Sequence, residues 1–377
     1  MIIFLMALHS IQIVNPSMNF KFYYWSFSID LHKFSNPKYS LSYYKPDNNC
    51  DLCNFTIQNN FSNSSPRDLL ICASRYRFEN IHFFIRSLRH TGSKCTVAYL
   101  LDDTAYKRLK NHDLEALRKC GVQVLNIGEV EFPDKYDIWS NMILWTLYVL
   151  YSNPNKFDRV LKADMYDVAF QGDPFDTSIE PGKFYIPAEG GPLPLHFMST
   201  VYYNRVLSYG LNPDIKLKNK WFVCPAVTFG YIDAFVNAMN AYFTYYTFNS
   251  SRSDQVIFNV CLYYGIFDKY GIKSVVKRDP EYVRHLFYYE PNIHFGNTTT
   301  TWDTKYYAKI IHKTYSNANV LREMRSSCPM EDKKLQAFYT KDRDKFLLKH
   351  YFSNLTVLER FYNVTELRFE DVYHLLL

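Results

Sequence analysis

Two acidic side chains follow a short apolar stretch and are spaced for metal chemistry. Asp164 ends the apolar stretch around Val160, and Asp167 follows three residues later. A turn between them would aim both carboxylates at one hard divalent cation, which prefers oxygen ligands and leaves positions open for phosphate oxygens. Turn-forming Asp residues that only cap a strand end are the alternative interpretation. The sequence therefore offers a candidate site for Mn²⁺ or Mg²⁺ against a diphosphate.

The surrounding pattern predicts the elements that would position these acids. From Arg67 onward, short apolar strands alternate with segments of helical spacing. The predicted strands cover Asp68 to Ala73, Thr96 to Leu101, Val122 to Leu125 and the stretch before Asp164. Helices follow the first three: one through Ile81 and Leu88, one through Leu109, Leu114 and Leu117, and one through Ile138, Met142, Trp145 and Tyr148. This alternation predicts an α/β fold with a mostly parallel sheet and helices on both faces.

Ligands of such sheets bind at the carboxyl ends of the strands. Polar residues lie at three of these predicted ends: Ser74 and Arg75, then Asp102 and Asp103, then the acid pair. The glycine patterns of dinucleotide folds and of P-loops do not occur in the sequence. A nucleotide would therefore be held mainly through metal and side chains.

Composition limits the class of protein. The 377 residues carry a net charge of +6 without a basic run, which argues against a nucleic-acid partner. We expect an N-terminal lead over residues 1–65, an α/β domain over 66–330 and a C-terminal helical extension over 331–377. The first eight residues are apolar but too short to span a bilayer, so we interpret them as a signal-peptide core or a degenerate membrane anchor.

Seven Asn-x-Ser/Thr sequons favour passage through the secretory pathway, with the lumen of the Golgi or the endoplasmic reticulum as the expected location; they begin at Asn54, Asn60, Asn63, Asn249, Asn297, Asn354 and Asn363. Cys50 and Cys53 have the spacing of a zinc knuckle but no second pair. A local disulfide and two free thiols are the two interpretations left open. Cys72, Cys224 and Cys261 lie in apolar runs and are expected in the core.

The acid turn and the residues after it resemble a eukaryotic nucleotide-diphospho-sugar transferase of the GT-A type. This segment is Asp164-Met165-Tyr166-Asp167-Val168-Ala169-Phe170-Gln171-Gly172-Asp173-Pro174-Phe175. The resemblance runs from about Asp68 to about His312. Three further segments match it in order: the strand-like Trp221-Phe222-Val223-Cys224-Pro225-Ala226-Val227-Thr228-Phe229-Gly230, the helix start Ser253-Asp254-Gln255-Val256-Ile257-Phe258-Asn259, and the late strand Ile310-Ile311-His312-Lys313.

The resemblance implies a glycosyltransferase that moves a sugar from a nucleotide donor to a glycan or glycoprotein. His312 would complete the metal site with Asp164 and Asp167, although a lone His at a strand end is also commonly structural. The donor would contact Ser74, Arg75, Lys162, Gln255 and Lys313. In an inverting reaction, Asp254 or Glu189 would deprotonate the acceptor hydroxyl, whereas in a retaining one the acid would orient the sugar. Asp254 at a helix start also suits the helix dipole. Gly190-Gly191-Pro192, after Glu189, is expected to form a tight or mobile loop.

Two departures from the family pattern define the alternatives. Lys162 stands where the usual first Asp would be, and its charge would oppose a cation. Pro225-Ala226 replaces the small residue and Gly of similar acceptor strands. An inactive relative that binds nucleotide sugar or carbohydrate is the second hypothesis. A metal-dependent phosphoester hydrolase is the third, disfavoured because two-metal sites usually need more ligands than one suitably placed His and two acids.

Overall fold

The computed structural model describes residues 35–45, 49–57, 62–75, 81–128, 138–192, 220–245, 254–279, 281–286, 295, 299–300, 305–314 and 318–328. The predicted signal or anchor and the predicted C-terminal extension lie outside these residues. Across the described part of the chain, no helix is long and apolar enough to cross a membrane.

Helices and strands alternate through the first half of the domain, as the sequence predicts. The strands are β1 (Asp68–Ser74), β2 (Thr96–Leu101), β3 (Val122–Asn126), β4 (Arg159–Ala163), β5 (Val168–Phe170), β6 (Lys183–Pro192), β7 (Trp221–Val223), β8 (Val227–Tyr231), β9 (Lys273–Lys277), β10 (Val283–His285), β11 (Thr299–Thr300), β12 (Lys305–Tyr306) and β13 (Ile310–His312). The helices are α1 (Ile81–His90), α2 (Asp103–Arg108), α3 (Asn111–Lys119), α4 (Ile138–Tyr151), α5 (Ile232–Tyr245), α6 (Asp254–Tyr263), α7 (Ile266–Lys269) and α8 (Ala318–Ser327).

The central sheet is mixed and mostly parallel. Its described strands follow the order β3-β2-β1-β4-β8-β6-β7, and β9 also pairs with β6. The pairs β3/β2, β2/β1, β1/β4 and β6/β9 are parallel, whereas β8 runs antiparallel to both β4 and β6. The predicted α/β class and the predicted parallel order of the first four strands are confirmed.

Helices cover both faces of the sheet. Because alternate side chains of a strand point to opposite faces, one strand contributes to two buried clusters. Leu69 and Ile71 of β1 pack in one buried cluster with residues of α4, α5 and α6. Leu70 and Cys72 pack in a second cluster with residues of α1 and α3. Every residue of β1 is buried, which explains why this strand reads as an almost continuous apolar run rather than an alternating one.

A smaller sheet of order β10-β13-β5 lies next to the carboxyl end of β4. Strand β13 runs parallel to β10 and antiparallel to β5. Only the acid turn separates β4 from β5, so this sheet is joined directly to the predicted metal turn. The small sheet therefore delivers His312, the last residue of β13, to the same region.

Two local expectations were wrong. The helix expected through Leu109 and Leu117 is two helices, because the backbone of Lys110 is extended. The N–H of Lys110 donates a hydrogen bond to the carboxylate of Asp113, and this bond caps the start of α3. The segment expected to be a loop at Gly190-Gly191-Pro192 is the end of strand β6. The register of β6 against β7 shifts within this segment, which fits the common use of glycine at strand irregularities.

The described part of the N-terminal lead packs on the α/β domain. Asn153 bonds the backbone of Leu41 and Tyr39 at 2.8 Å each, and the guanidinium of Arg89 lies over the ring of Tyr44. Disulfides join Cys50 to Cys120 and Cys53 to Cys328, so neither a local bridge nor free thiols occur at Cys50 and Cys53. Sequence spacing could not reveal these partners, because pairing depends on the fold.

Candidate functional site

The acid turn between β4 and β5 is fixed by backbone and side-chain hydrogen bonds. The N–H of Asp164 donates to the carbonyl of Ala226 at 2.8 Å, and the carbonyl of Asp167 accepts from Thr314 at 3.0 Å. Between the two acids, the hydroxyl of Tyr166 bonds Ser74 Oγ and the carbonyl of Arg75. The turn is therefore tied to the ends of β1, β8 and β13, and both acids are held at one edge of the central sheet.

Lys162 is buried beside the first acid. Its ammonium lies 3.0 Å from Asp164 Oδ1 and 3.4 Å from the carbonyl of Pro225. Burial by itself would lower the pKa of Lys162, but Asp164 and Asp254 outweigh it and raise that pKa. Burial also raises the pKa of Asp164, and the neighbouring Asp167 adds to the shift while Lys162 opposes it. Lys162 is therefore a fixed positive charge, and Asp164 is a carboxylate that favours a second cationic partner.

His312 connects the second acid to the small sheet. Its Nε2 lies 3.4 Å from Asp167 Oδ2. Its Nδ1 lies 2.6 Å from Nδ1 of His285, and the two rings meet edge to face. The three residues predicted to bind metal thus lie together, with His312 between the acid turn and a second histidine.

A thiol completes this buried group. Cys224, His285 and His312 offer ligand atoms that all lie within 4.8 Å of one another, and all three residues are buried. Burial raises the pKa of the Cys224 thiol well above its usual value, and Asp254, Asp164 and Asp167 add to that shift. The thiol therefore lies close to the acids of the site and keeps its proton unless a cation displaces it.

A second charged group faces the acid turn. Lys313, directly after β13, contacts Glu189 on β6, and Glu189 also accepts a hydrogen bond from the side chain of Gln255. Burial lowers the pKa of Lys313 to about 8, while Asp167 opposes that shift. Lys313 adopts a left-handed backbone conformation, with φ of 62°. This strained position turns the chain after His312 and brings the ammonium to Glu189.

Helix α6 carries the last predicted site residues. Asp254 begins the helix, and its carboxylate accepts a hydrogen bond from the N–H of Gln255 at 2.7 Å. Asn259, one turn further, bonds both the N–H and the carbonyl of Val223, at 3.1 and 3.0 Å. The amide of Gln255 also donates to that carbonyl. Helix α6 therefore holds the end of β7 directly before Cys224.

Ser74 and Arg75 lie at the end of β1 and reach the acid turn through Tyr166. The Nε of Arg75 lies 3.5 Å from the carboxylate of Asp102, and both side chains are almost fully buried. Asp102 also caps α2 by accepting from the N–H of Ala105. Arg75 is thus part of a buried ion pair at the adjacent strand ends.

The most specific part of the sequence pattern is structural. The amide of Gln171 donates to the carbonyl of Ala308 at 2.9 Å, and its backbone N–H donates to Lys309 at 2.8 Å. Asp173 accepts from the N–H of Ser64 and the hydroxyls of Ser62 and Ser93. The bonds of Gln171 fix the segment that leads into β13, whereas those of Asp173 hold the N-terminal lead and the turn after α1. Gln171 therefore positions His312 without contacting it.

The structure brings the predicted metal, catalytic and donor residues of β4, β6, α6 and β13 into one group and places Ser74 and Arg75 beside it. Two members of the group were missed: Cys224, which was interpreted as core, and His285. One signal in the sequence could have indicated His285. Two short stretches of the sequence end in histidine: Val283-Arg284-His285 and Ile310-Ile311-His312. The structure pairs them as neighbouring strands.

Compared with known proteins, the chain matches no family model and no curated protein. The resemblance to nucleotide-sugar transferases therefore rests on the sequence segments alone.

Proposed function

We propose that the chain is a metal-dependent glycosyltransferase with a GT-A-like fold that uses a nucleotide-diphosphate sugar. One observation carries this proposal. Residues from four distant segments, Lys162 to Asp167, Glu189, Asp254 to Gln255 and His312 to Lys313, meet at the carboxyl end of β4. The resemblance gives the predicted site residues of these segments roles in one reaction, and their convergence at the usual ligand-binding edge of an α/β sheet supports those roles.

Two of the atoms proposed as ligands of the cation lie close together. Asp167 Oδ2 and His312 Nε2 are 3.4 Å apart, near the separation of about 3 Å expected for neighbouring ligands of a cation with bonds of about 2.1 Å. Asp164, Asp167 and His312 would hold Mn²⁺ or Mg²⁺. Such an ion supplies charge that stabilises the departing nucleoside diphosphate. Lys162 would add a fixed positive charge at the same edge, and Lys313 and Arg75 would contribute positive charge beside it.

The two candidate bases differ in their surroundings. Glu189 is buried and engaged by both Lys313 and Gln255, so it suits a role in orienting the donor sugar and these side chains. Asp254 contacts its own helix terminus, and its charge acts on Lys162 and on Cys224. If the reaction inverts the sugar, we propose Asp254 as the group that accepts the proton of the acceptor hydroxyl.

The disulfides support an oxidising compartment. Stable disulfides are typical of secreted and lumenal proteins and rare in the cytosol. Together with the sequons, the bonds Cys50–Cys120 and Cys53–Cys328 support a location in the lumen of the Golgi or the endoplasmic reticulum. Glycans or glycoproteins are the acceptors that such a compartment would offer.

One contact favours a second candidate function, a non-catalytic protein that binds nucleotide sugar. The ion pair between Lys162 and Asp164 already provides one positive charge where the cation would bind. A site of this kind could hold a diphosphate through lysine side chains without completing transfer.

A binding experiment on the full chain tests the proposal. Calorimetric titration with a panel of nucleotide sugars, in Mn²⁺ and in chelator, should reveal one donor that binds only with metal. Asp164→Asn should abolish this binding, whereas Asp158→Asn, an exposed acid paired with Arg67, should retain it. Release of nucleoside diphosphate on incubation with glycan acceptors would establish transfer. Donor binding without release would support the second candidate, and binding of no donor would overturn both.

A further inference from the structure

We propose that Cys224, His285 and His312 form a transition-metal site of the zinc type. This inference goes beyond sugar transfer, because it concerns a cation with sulfur and nitrogen ligands. The cluster is formed by three segments that are remote in sequence, and its ligand atoms lie within 4.8 Å of one another.

The two histidines are placed by strand register. His285 ends β10 and His312 ends β13, and these parallel neighbours pair His285 directly with His312. Paired residues of adjacent strands point to the same face of a sheet, so the rings must lie side by side. The backbone after β10 is fixed as well, since the N–H of Leu286 donates to the carbonyl of His312 at 3.0 Å.

Cys224 reaches the same point from the central sheet. It follows β7 directly, and its N–H donates to the carbonyl of Pro187 on β6 at 3.0 Å. Asn259 holds Val223, the residue before it, through both backbone groups. The thiol is therefore held by rigid elements rather than by a loose loop, which favours a built ligand set.

The chemistry of the group selects the metal. Thiolate and imidazole ligands suit Zn²⁺ and related ions, whereas Mg²⁺ and Mn²⁺ prefer carboxylates, carbonyls and water. Three protein ligands of the Cys-His₂ or Cys₂-His kind leave a fourth position for water or substrate in a tetrahedral zinc site. Cys224, His285 and His312 are 6%, 4% and 3% exposed, so the site is shielded from bulk solvent.

The two histidine nitrogens require only a small adjustment. The histidine Nδ1 atoms lie 2.6 Å apart and share a hydrogen bond. Two nitrogen ligands of tetrahedral Zn²⁺ lie about 3.3 Å apart, given Zn–N bonds of about 2.05 Å. A bound cation would take the place of the shared proton, and the rings would separate by roughly 0.7 Å on that geometry.

Asp167 completes the arrangement from the other side of the ring. If His312 binds the cation through Nδ1, its Nε2 remains 3.4 Å from Asp167 Oδ2. Metal-binding histidines commonly donate their second N–H to a carboxylate, which orients the ring and strengthens the ligand. Asp167 would then be a positioning residue for the zinc-type site.

His312 and Asp167 take part both in this site and in the Mn²⁺ or Mg²⁺ position of the proposed function, but the two sites would use opposite ring nitrogens of His312. The sulfur ligand distinguishes them. Cys224 belongs only to the zinc-type site, and Asp164 belongs only to the other. A spectroscopic signal that requires a thiolate therefore reports on the new site alone.

Cobalt substitution provides that signal. The full chain, kept free of thiol reductants to preserve its disulfides and stripped with chelator, is titrated with Co²⁺. We expect the visible bands of low-coordinate Co²⁺ and a near-ultraviolet thiolate-to-cobalt charge-transfer band. Zn²⁺ should abolish both, and excess Mg²⁺ should not. Cys224→Ser should remove the charge-transfer band, and Asp167→Asn should weaken Co²⁺ binding by about 10- to 100-fold.

The matched controls separate the possible outcomes. Cys261→Ser, which removes another buried free thiol, should keep the band, and Asp164→Asn should also keep it even if donor binding is lost. Absence of the charge-transfer band in the wild-type chain overturns the proposal, as does its persistence in Cys224→Ser. The wild-type titration decides the question even if a variant does not fold. A band without donor binding would retain the metal site and reject the transferase.

Discussion

The ammonium of Lys162 lies 3.0 Å from the carboxylate of Asp164, and their side chains are only 5% and 12% exposed. This pair lies at the acid turn where we propose that a divalent cation binds. Lysine therefore neutralises part of the negative charge at the site. It also raises the energy of any divalent cation that binds next to it.

Removing this lysine should strengthen metal binding. In Lys162→Met, a side chain of similar length without charge, we expect Mn²⁺ to bind about ten- to a hundredfold more tightly, an effect of roughly 1 to 3 kcal/mol at a protein dielectric of about 20. The metal-free protein should lose about 3 kcal/mol of unfolding free energy, because Asp164 is left buried without its partner. Calorimetry with Mn²⁺ and urea unfolding measure the two effects. Lys277→Met is the control, and unchanged or weaker Mn²⁺ binding in Lys162→Met would contradict this explanation.

The ion pair between Asp176 and Lys309 should make stability depend on pH. Burial alone would raise the pKa of Asp176, but hydrogen bonds from Lys309 and Ser178 outweigh it and hold the pKa below its usual range. A carboxyl of this kind stabilises the folded state above its unfolded pKa of about 3.9, and the contribution is lost as the pH falls through the lower folded value.

Asp176→Asn should therefore lower the unfolding free energy by about 1 to 2 kcal/mol at pH 7, and the difference from wild type should shrink below about pH 4. Urea unfolding at a series of pH values measures this. The exposed acid Asp268 provides the control, since Asp268→Asn should change little at any pH. A difference for Asp176→Asn that stays constant down to the lowest pH would show that the loss is not electrostatic.

Gly230 allows β8 to approach β6 closely. A Cβ atom at this position would lie 2.5 Å from the backbone carbonyl oxygen of Lys183, which cannot move without displacing the strand. Gly230→Ala should therefore destabilise the protein by about 1 to 3 kcal/mol. At Gly172 a Cβ would meet the side chain of Lys309 at 3.1 Å, so Gly172→Ala should cost less. Thermal unfolding of both variants tests the ranking, and an equal loss would count against the close strand approach.

The disulfide between Cys50 and Cys120 should make a large contribution to stability. It closes a separation of 70 residues, for which the loss of chain entropy in the unfolded state amounts to about 4 kcal/mol. The double variant Cys50→Ser, Cys120→Ser should lose about 2 to 5 kcal/mol, whereas Cys261→Ala, which keeps both disulfides, should show only a local packing cost. Denaturant unfolding measures the loss. Alkylation of Cys50 in the native, unreduced protein would show that the bond does not form.

The central part of the fold could be predicted from the sequence because its signals are local. Thr96 to Leu101 is an apolar run of strand length, and the helical stripe through Met142 and Trp145 is unbroken. The break at Lys110 could not be predicted in the same way. The apolar spacing of Leu109 and Leu117 continues across it, and the competing cap at Asp113 depends on a single hydrogen bond.

The candidate site, like the fold, could be predicted from the sequence only where its signals are local. Asp164 and His312 stand at the ends of apolar strands and Asp167 directly precedes one, so their neighbours in sequence indicate them. Cys224 becomes a candidate only when the end of β7 is brought near β13, and contacts over such distances are not encoded in a local pattern. A buried cysteine in an apolar run has the same sequence signature whether it is core or ligand.

The bond between Cys53 and Cys328 turns most of the described chain into a closed covalent ring. A protease that cuts any exposed connection between these two residues would open the ring without releasing a fragment. Asp164, Glu189 and His312 all lie between these two cysteines in sequence. A molecule cut once would therefore keep all residues of the candidate site covalently linked until the disulfides are reduced.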